Sequence, residues 1–171
     1  MDSFIHNLAG IQSQPFADTS PEVFESLWRS LCLGAVRPRV LPPMLKAGCG
    51  NVLFVGATAS VKAGADFSAF GSAKFVLRGL AQSMARELGP AGIHVSYLII
   101  DGVIWDPKAS SWGAEQSQCL QPQAIARTCL HLLQQESSAW THGWTSDRTW
   151  RASESALPLQ SQGSKPKPST A

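Results

Sequence analysis

The apolar residues of the chain occur either in continuous runs or at helical spacing. The runs at 51–55 and 93–100 are bounded by glycine, and such runs are typical of strands buried on both faces of a parallel sheet. A shorter apolar run at 4–7 predicts another strand with a turn directly after it. The pattern therefore predicts several strands of one sheet, with other elements between them.

The first segment with helical spacing begins after a polar loop. Ser20, Pro21 and Glu22 form a favourable helix start, because Ser can cap the first turn and Pro needs no amide donor there. We expect a helix over 21–47 that is bent or broken at Pro38 and at the prolines after Leu41.

The strongest helical pattern covers 68–89, where Gly89 and Pro90 stop the helix. Another helix is predicted to begin at Pro122. Alternating strands and helices predict an α/β fold, namely part of a doubly wound parallel sheet with helices on both faces. We assign residues 1–150 to this domain. Residues 151–171 are rich in Ser, Gln, Pro and Lys, so we predict a disordered tail there.

Composition narrows the classes of function. The chain has 171 residues, of which 44% are hydrophobic and 15% charged, as expected for a folded domain. A net charge of +2 from scattered basic residues argues against nucleic acid or an anionic membrane as a partner. The sequence has neither a signal-peptide pattern nor an apolar stretch long enough to span a bilayer. We therefore expect a cytoplasmic protein.

Metal and nucleophile motifs are missing from the sequence. The cysteines form no C-x-x-C pair and lie at no zinc-ligand spacing from a histidine, so we predict no metal site and thiols buried in a reducing compartment. His6 and His94 lie in apolar strands, where a hydrogen-bonded core histidine is the expected role and a ligand the alternative. His142, between Trp140 and Trp144, belongs either to a binding surface or to packing at the sheet edge.

The order of motifs resembles a known family. Phe70-Gly-Ser-Ala-Lys74 opens the long helix after the strand at 51–55, and Ala91-Gly-Ile-His-Val95 follows that helix. This arrangement resembles the second half of a short-chain dehydrogenase/reductase, from about Asn7 to about Leu133. The resemblance implies a partial Rossmann-like fold, truncated at its amino-terminal side, and an oxidoreductase that uses NAD or NADP.

The resemblance also implies three catalytic positions. In the family a tyrosine and a lysine stand four residues apart on one helical face, where the lysine lowers the pKa of the phenol and holds the cofactor ribose. The phenol exchanges a proton with the substrate while a serine polarises the carbonyl. Here Lys74 matches, Phe70 replaces the tyrosine without a hydroxyl, and the serine position falls at Ala57 or Thr58. Ser60 stands too close to Phe70 in sequence for that role.

Each position also has an ordinary structural explanation. Phe70 suits a core aromatic at the start of an amphipathic helix, and Thr58 suits a turn. Lys74, without a cofactor, would be a solvated residue on the helix surface.

The cofactor contacts implied by the resemblance are Asn7, Lys74 and Gly102. Asn7 opens a turn like the N-A-G turn of the family with one residue inserted, and Gly102 matches the glycine of a Pro-Gly segment that borders the nicotinamide. The glycine-rich turn for the pyrophosphate is not found in the sequence. We therefore expect that this chain alone does not bind NAD or NADP, and that the strand at 4–7 lies at a sheet edge.

Three hypotheses for function follow. The first is an oxidoreductase by descent whose catalysis is impaired. The second is a non-catalytic module that forms a homodimer, or a heterodimer with a full-length relative, through the helices 21–47 and 68–89. The third is an alternative or degenerate product with no settled role. The small residues Ala69, Ala73, Ala81 and Ala85 would permit close helix approach in the second hypothesis. Alternatively they pack this helix against its own sheet, and the two uses are not exclusive.

Overall fold

A computed structural model of the chain describes residues 2–8, 10–35, 39–107 and 115–147. The predicted tail at 151–171 and the last residues of the predicted domain lie outside these ranges. Pro38, one of the prolines expected to break the first helix, also lies outside them.

The described strands form one parallel sheet in the order β1-β2-β3-β4, as predicted for an α/β fold. Within the described chain β1 is an edge strand, as expected, and β4 is the opposite edge. Strand β4 was not predicted from the sequence, because its residues are mostly exposed and form no apolar run. The strands are β1 (Ser3–His6), β2 (Gly50–Ala57), β3 (Ile93–Asp101) and β4 (Gly143–Asp147).

Four α-helices connect these strands within the described parts of the chain. The helix predicted over 21–47 is broken, as expected: α1 ends at Leu31 and a separate α2 begins at Leu41. Pro42 and Pro43 lie in the first turn of α2, where the missing amide donors break no helical hydrogen bond. The long helix agrees with its prediction within one residue. The helices are α1 (Pro21–Leu31), α2 (Leu41–Ala47), α3 (Ser68–Leu88) and α4 (Pro122–Leu133).

The side chains of β2 divide the core into two layers, because successive residues of a strand point to opposite faces. Val52 and Phe54 pack with α1 and α3, whereas Leu53 and Val55 pack with Leu132 of α4. Helices therefore cover both faces of the sheet, as predicted.

The histidines of the strands are largely core residues that bond to backbone carbonyls. The ring Nε2 of His6 lies 2.9 Å from the Leu31 carbonyl oxygen, and Nε2 of His94 lies 3.0 Å from that of Thr141. His94 also stacks on Trp140, with ring centroids 4.9 Å apart, which favours the edge-packing interpretation of this aromatic segment.

The described residues contain no group of His, Cys, Asp or Glu side chains that could hold a metal ion. All four cysteines are free thiols; Cys32 and Cys119 are buried, and Cys49 and Cys129 are half-buried. None of the described helices combines the length and the apolar character that crossing a membrane requires.

Gly92 provides a test of the connection between α3 and β3. Its φ is +79°, and a Cβ there would collide with the Gly48 carbonyl oxygen. We expect Gly92→Ala to lower the free energy of unfolding by about 1–3 kcal/mol, measured by chemical denaturation. Gly79→Ala is the matched control: Gly79 lies within α3 with no atom near its Cβ position, so alanine should stabilise the helix by up to about 1 kcal/mol. Equal effects of the two substitutions would contradict this account.

Candidate active site

The candidate site lies where β1, β2 and β3 end, beside the first turns of α3. Lys74 is the centre of this region, because its ammonium contacts two of the strand ends. Lys74 Nζ donates hydrogen bonds to the carbonyl oxygens of Leu8 and Val55, both at 3.2 Å. The side chain is only 3% exposed, so the interpretation of Lys74 as a solvated surface residue is wrong. Its spacing from Phe70 and Leu77 puts it on the buried face of α3.

Burial controls the electrostatics of Lys74. Removal from water lowers the pKa of its ammonium, and the nearby Cys32 thiol opposes this shift. A buried cation is stable only if its donors find acceptors, and here backbone carbonyls serve that purpose.

Phe70 lies one helical turn before Lys74 and is buried. Its ring packs edge-on against Phe67 with centroids 6.5 Å apart, and Lys74 Nζ lies 5.8 Å from its ring centroid. The structure thus brings Phe70 and Lys74 together, in a cation–π contact. A phenyl ring offers no donor or acceptor at this position.

Thr58 begins a short 3-10 turn at Thr58–Ser60, directly after β2. Its Oγ1 donates a hydrogen bond of 2.5 Å to a carboxylate oxygen of Asp101, the last residue of β3. Gly102 follows Asp101, so the Thr58 hydroxyl and Gly102 lie at neighbouring strand ends. Asn7 follows β1 with an exposed side chain, and the next residue, Leu8, supplies a carbonyl to Lys74.

Two buried polar residues beside this site, Ser60 and Tyr97, were not predicted from the sequence. Ser60, set aside because of its spacing, is fully buried, and its Oγ accepts a hydrogen bond from the Ala57 amide at 3.0 Å. Ser60 Oγ also lies 2.8 Å from the hydroxyl of Tyr97 in β3. The available signal was Tyr97 itself, the single tyrosine of the chain, because a phenol in an apolar strand requires a partner.

Comparison with known proteins identifies the family. The sequence pattern of the short chain dehydrogenases matches residues 1–106, which is more than half of the chain. The chain belongs to the short-chain dehydrogenase family. The family relationship extends over β1, β2, α3 and β3, and therefore over every residue of the candidate site.

Individual relatives agree with this assignment. A 3-ketodihydrosphingosine reductase from Bos taurus is 34% identical over 128 residues, which cover 71% of this chain and 37% of the relative. A short-chain dehydrogenase from Rhodopseudomonas palustris superimposes with a TM-score of 0.71 at 39% identity, over 85% of this chain and 61% of that structure.

A third relative shows the fold alone, at 17% identity. It is an NADPH-bound short chain oxidoreductase from Pseudomonas aeruginosa with an atypical catalytic center, and its TM-score is 0.73 over 88% of this chain and 66% of that structure. The chain spans less than two thirds of the length of each of these three proteins.

The lowered pKa of Lys74 predicts a pH-dependent stability. Between its folded-state pKa and its ordinary value of 10.5, the unfolded chain binds more protons than the folded chain. The contribution of Lys74 to the free energy of unfolding should therefore rise with pH, by about 1.4 kcal/mol for each unit of pKa difference. Between pH 7 and 10.5, the free energy of unfolding of the wild type minus that of Lys74→Met should increase as the pH rises.

Lys46→Met is the control for this experiment, because Lys46 is exposed on α2. Its curve should stay parallel to that of the wild type. Parallel curves for Lys74→Met as well would contradict the assigned pKa direction.

Proposed function

We propose that this chain is an NAD(P)-dependent oxidoreductase by descent whose hydride-transfer activity is impaired. The observation that carries this proposal is the pairing of Phe70 with Lys74. The lysine expected to hold the cofactor is in place, while the neighbouring ring has no hydroxyl to exchange a proton with the substrate.

The residues at the strand ends suit the nicotinamide-ribose part of a dinucleotide. An ammonium group has three N–H donors, and Lys74 directs two of them to the carbonyls of Leu8 and Val55. The third donor suits a ribose hydroxyl. The other two proposed cofactor contacts, Asn7 and Gly102, directly follow β1 and β3, the strands on either side of β2. When bound, the nucleotide supplies or accepts the hydride. These contacts serve one half of a dinucleotide, so in place of the absent binding expected from the sequence we propose weak binding by this chain alone.

Proton transfer is the step that this site performs poorly. The Thr58 hydroxyl proton is directed to Asp101, and this hydrogen bond competes with donation to a substrate oxygen. The phenol of Tyr97 does not substitute for the missing one, because it is 1% exposed and burial raises its pKa. The site therefore orients a substrate carbonyl or hydroxyl without an efficient acid or base. A carbonyl or hydroxyl substrate class is supported by the relative whose name specifies a keto compound.

The catalytic prediction compares Phe70→Tyr with the wild type. At high NADPH concentration with a panel of aldehydes and ketones, the wild type should oxidise no measurable NADPH. The added phenol beside Lys74 should raise turnover by about 10²-fold or more over the wild type, the usual effect of a positioned acid, and so make it measurable. Phe70→Leu, which changes the ring without adding a hydroxyl, should stay inactive. Steady NADPH oxidation by the wild type would contradict the proposed impairment.

A second candidate function is association through α1 and α3. An open apolar groove of about 320 Å³ lies between these helices, and Trp28 and Val76 at its walls are 42% and 47% exposed. Exposed apolar surface of this kind is typical of interaction sites. The small side chains of Ala69 and Ala73 line this groove but are buried, and Ala81 packs in the core between α3 and the sheet. The groove is lined by Phe24, Glu25, Trp28, Ala69, Ser72, Ala73 and Val76.

We therefore propose that the chain forms a homodimer, or a heterodimer with a full-length relative, through this groove. Sedimentation velocity should show a wild-type dimer, and Val76→Glu should shift it to monomer because a charge would be buried at the interface. Leu130→Glu is the matched control, since Leu130 is 55% exposed on α4, which covers the opposite face of the sheet. If the wild type is a monomer and does not bind a full-length relative, the proposal is contradicted.

We propose a cytoplasmic location because the cysteine thiols are not paired in disulfides. All four cysteines are free, as expected in a reducing compartment. Isolation of the chain from cells with a disulfide among them would contradict this location.

A further inference from the structure

Tyr97 and Ser60 form a buried polar pair that the proposed chemistry does not use. Tyr97 is 1% exposed and Ser60 is 0% exposed, and their oxygens lie 2.8 Å apart. The pair lies within the apolar layer between the sheet and α3. A buried hydroxyl pair in such a layer costs free energy unless its hydrogen bonds are all made.

The surrounding backbone supplies partners for both hydroxyls. The Tyr97 hydroxyl lies 3.4 Å from the Lys74 carbonyl oxygen, which can only accept, and 2.8 Å from Ser60 Oγ, where either hydroxyl can donate. Ser60 Oγ also accepts a hydrogen bond from the Ala57 amide. A continuous chain of hydrogen bonds therefore runs from the end of β2, through the turn and β3, to α3.

Gly56 makes room for this chain of hydrogen bonds. It lies in β2 directly before Ala57, and a Cβ at Gly56 would stand 2.6 Å from the Tyr97 hydroxyl oxygen. Only glycine lets the phenol pass over β2 at this point. Tyr97 therefore contacts Gly56 near the end of β2, and its hydroxyl also lies near the Lys74 carbonyl oxygen of α3.

Lys74 is held at both ends by this arrangement. Its backbone carbonyl accepts from Tyr97, and its ammonium donates to Val55, one residue before Gly56 in β2. We propose that Tyr97 and Ser60 are positioning residues that hold the Lys74 ammonium against the strand ends. This inference rests on the proposed role of Lys74 in the site, but it concerns the placement of the ammonium and is testable without a nucleotide.

The test measures acetylation of Lys74 by N-hydroxysuccinimidyl acetate at pH 8, relative to the exposed Lys46, by peptide mass spectrometry. Tyr97→Phe should speed acetylation of Lys74 about threefold to tenfold, the shift in an opening equilibrium expected from one lost buried hydrogen bond. Ser60→Ala should act in the same direction. The double variant should be no faster than the faster single one, because the two hydroxyls act as a unit.

Ile99→Val separates positioning from general loss of stability. Ile99 lies in β3 and in the same apolar layer as Tyr97, but its side chain has no hydroxyl. Denaturant is added to each protein until the free energies of unfolding are equal, and Ile99→Val should then acetylate Lys74 more slowly than Tyr97→Phe.

Equal rates under this condition, or independent effects of the two hydroxyls, would overturn the proposal. If Tyr97→Phe does not fold, the acetylation rate of Lys74 in Ser60→Ala is compared with that in Ile99→Val at equal free energy of unfolding, and this result alone tests the proposal. Because NADPH is not used, these outcomes are independent of the activity measured for Phe70→Tyr.

Discussion

The buried ammonium of Lys74 is the interaction on which the site depends. A cation taken out of water needs acceptors for its donors, and here they are the carbonyl oxygens of Leu8 and Val55 at the ends of β1 and β2. These hydrogen bonds hold α3 against the carboxyl ends of two strands. In open α/β sheets, ligands bind at this edge. The same contact that satisfies the ammonium therefore also keeps it at this edge, where the proposed contact with a cofactor ribose would form.

Packing alone accounts for an aromatic residue at position 70. The ring of Phe70 is buried against Phe67 and faces the Lys74 ammonium. A phenol at the same position would keep these apolar contacts and add an oxygen, so the proposed impairment concerns a functional group and not the packing of the site.

Helix α3 joins the two candidate functions. Its inner face carries Phe70 and Lys74 to the strand ends, and its outer face presents Val76 beside the groove shared with α1. Because a helix repeats every 3.6 residues, one continuous segment serves both surfaces. Association at the groove would restrain the helix that holds the ammonium, so the two proposals are compatible in one molecule.

Local patterns in the sequence determined the strands β1, β2 and β3, the long helix α3 and the absence of an oxygen at Phe70, because burial and functional groups are properties of each residue and its near neighbours. The spacing of Lys74 from Phe70 put the two residues on one helical face, but the burial of Lys74 did not follow from it. Only the tertiary structure decided β4, whose exposed residues become a strand by pairing with β3. It also decided the partnership of Ser60 with Tyr97, which are 37 residues apart. The physical reason is that these contacts are made between distant segments, and their energy appears only when the sheet brings those segments together.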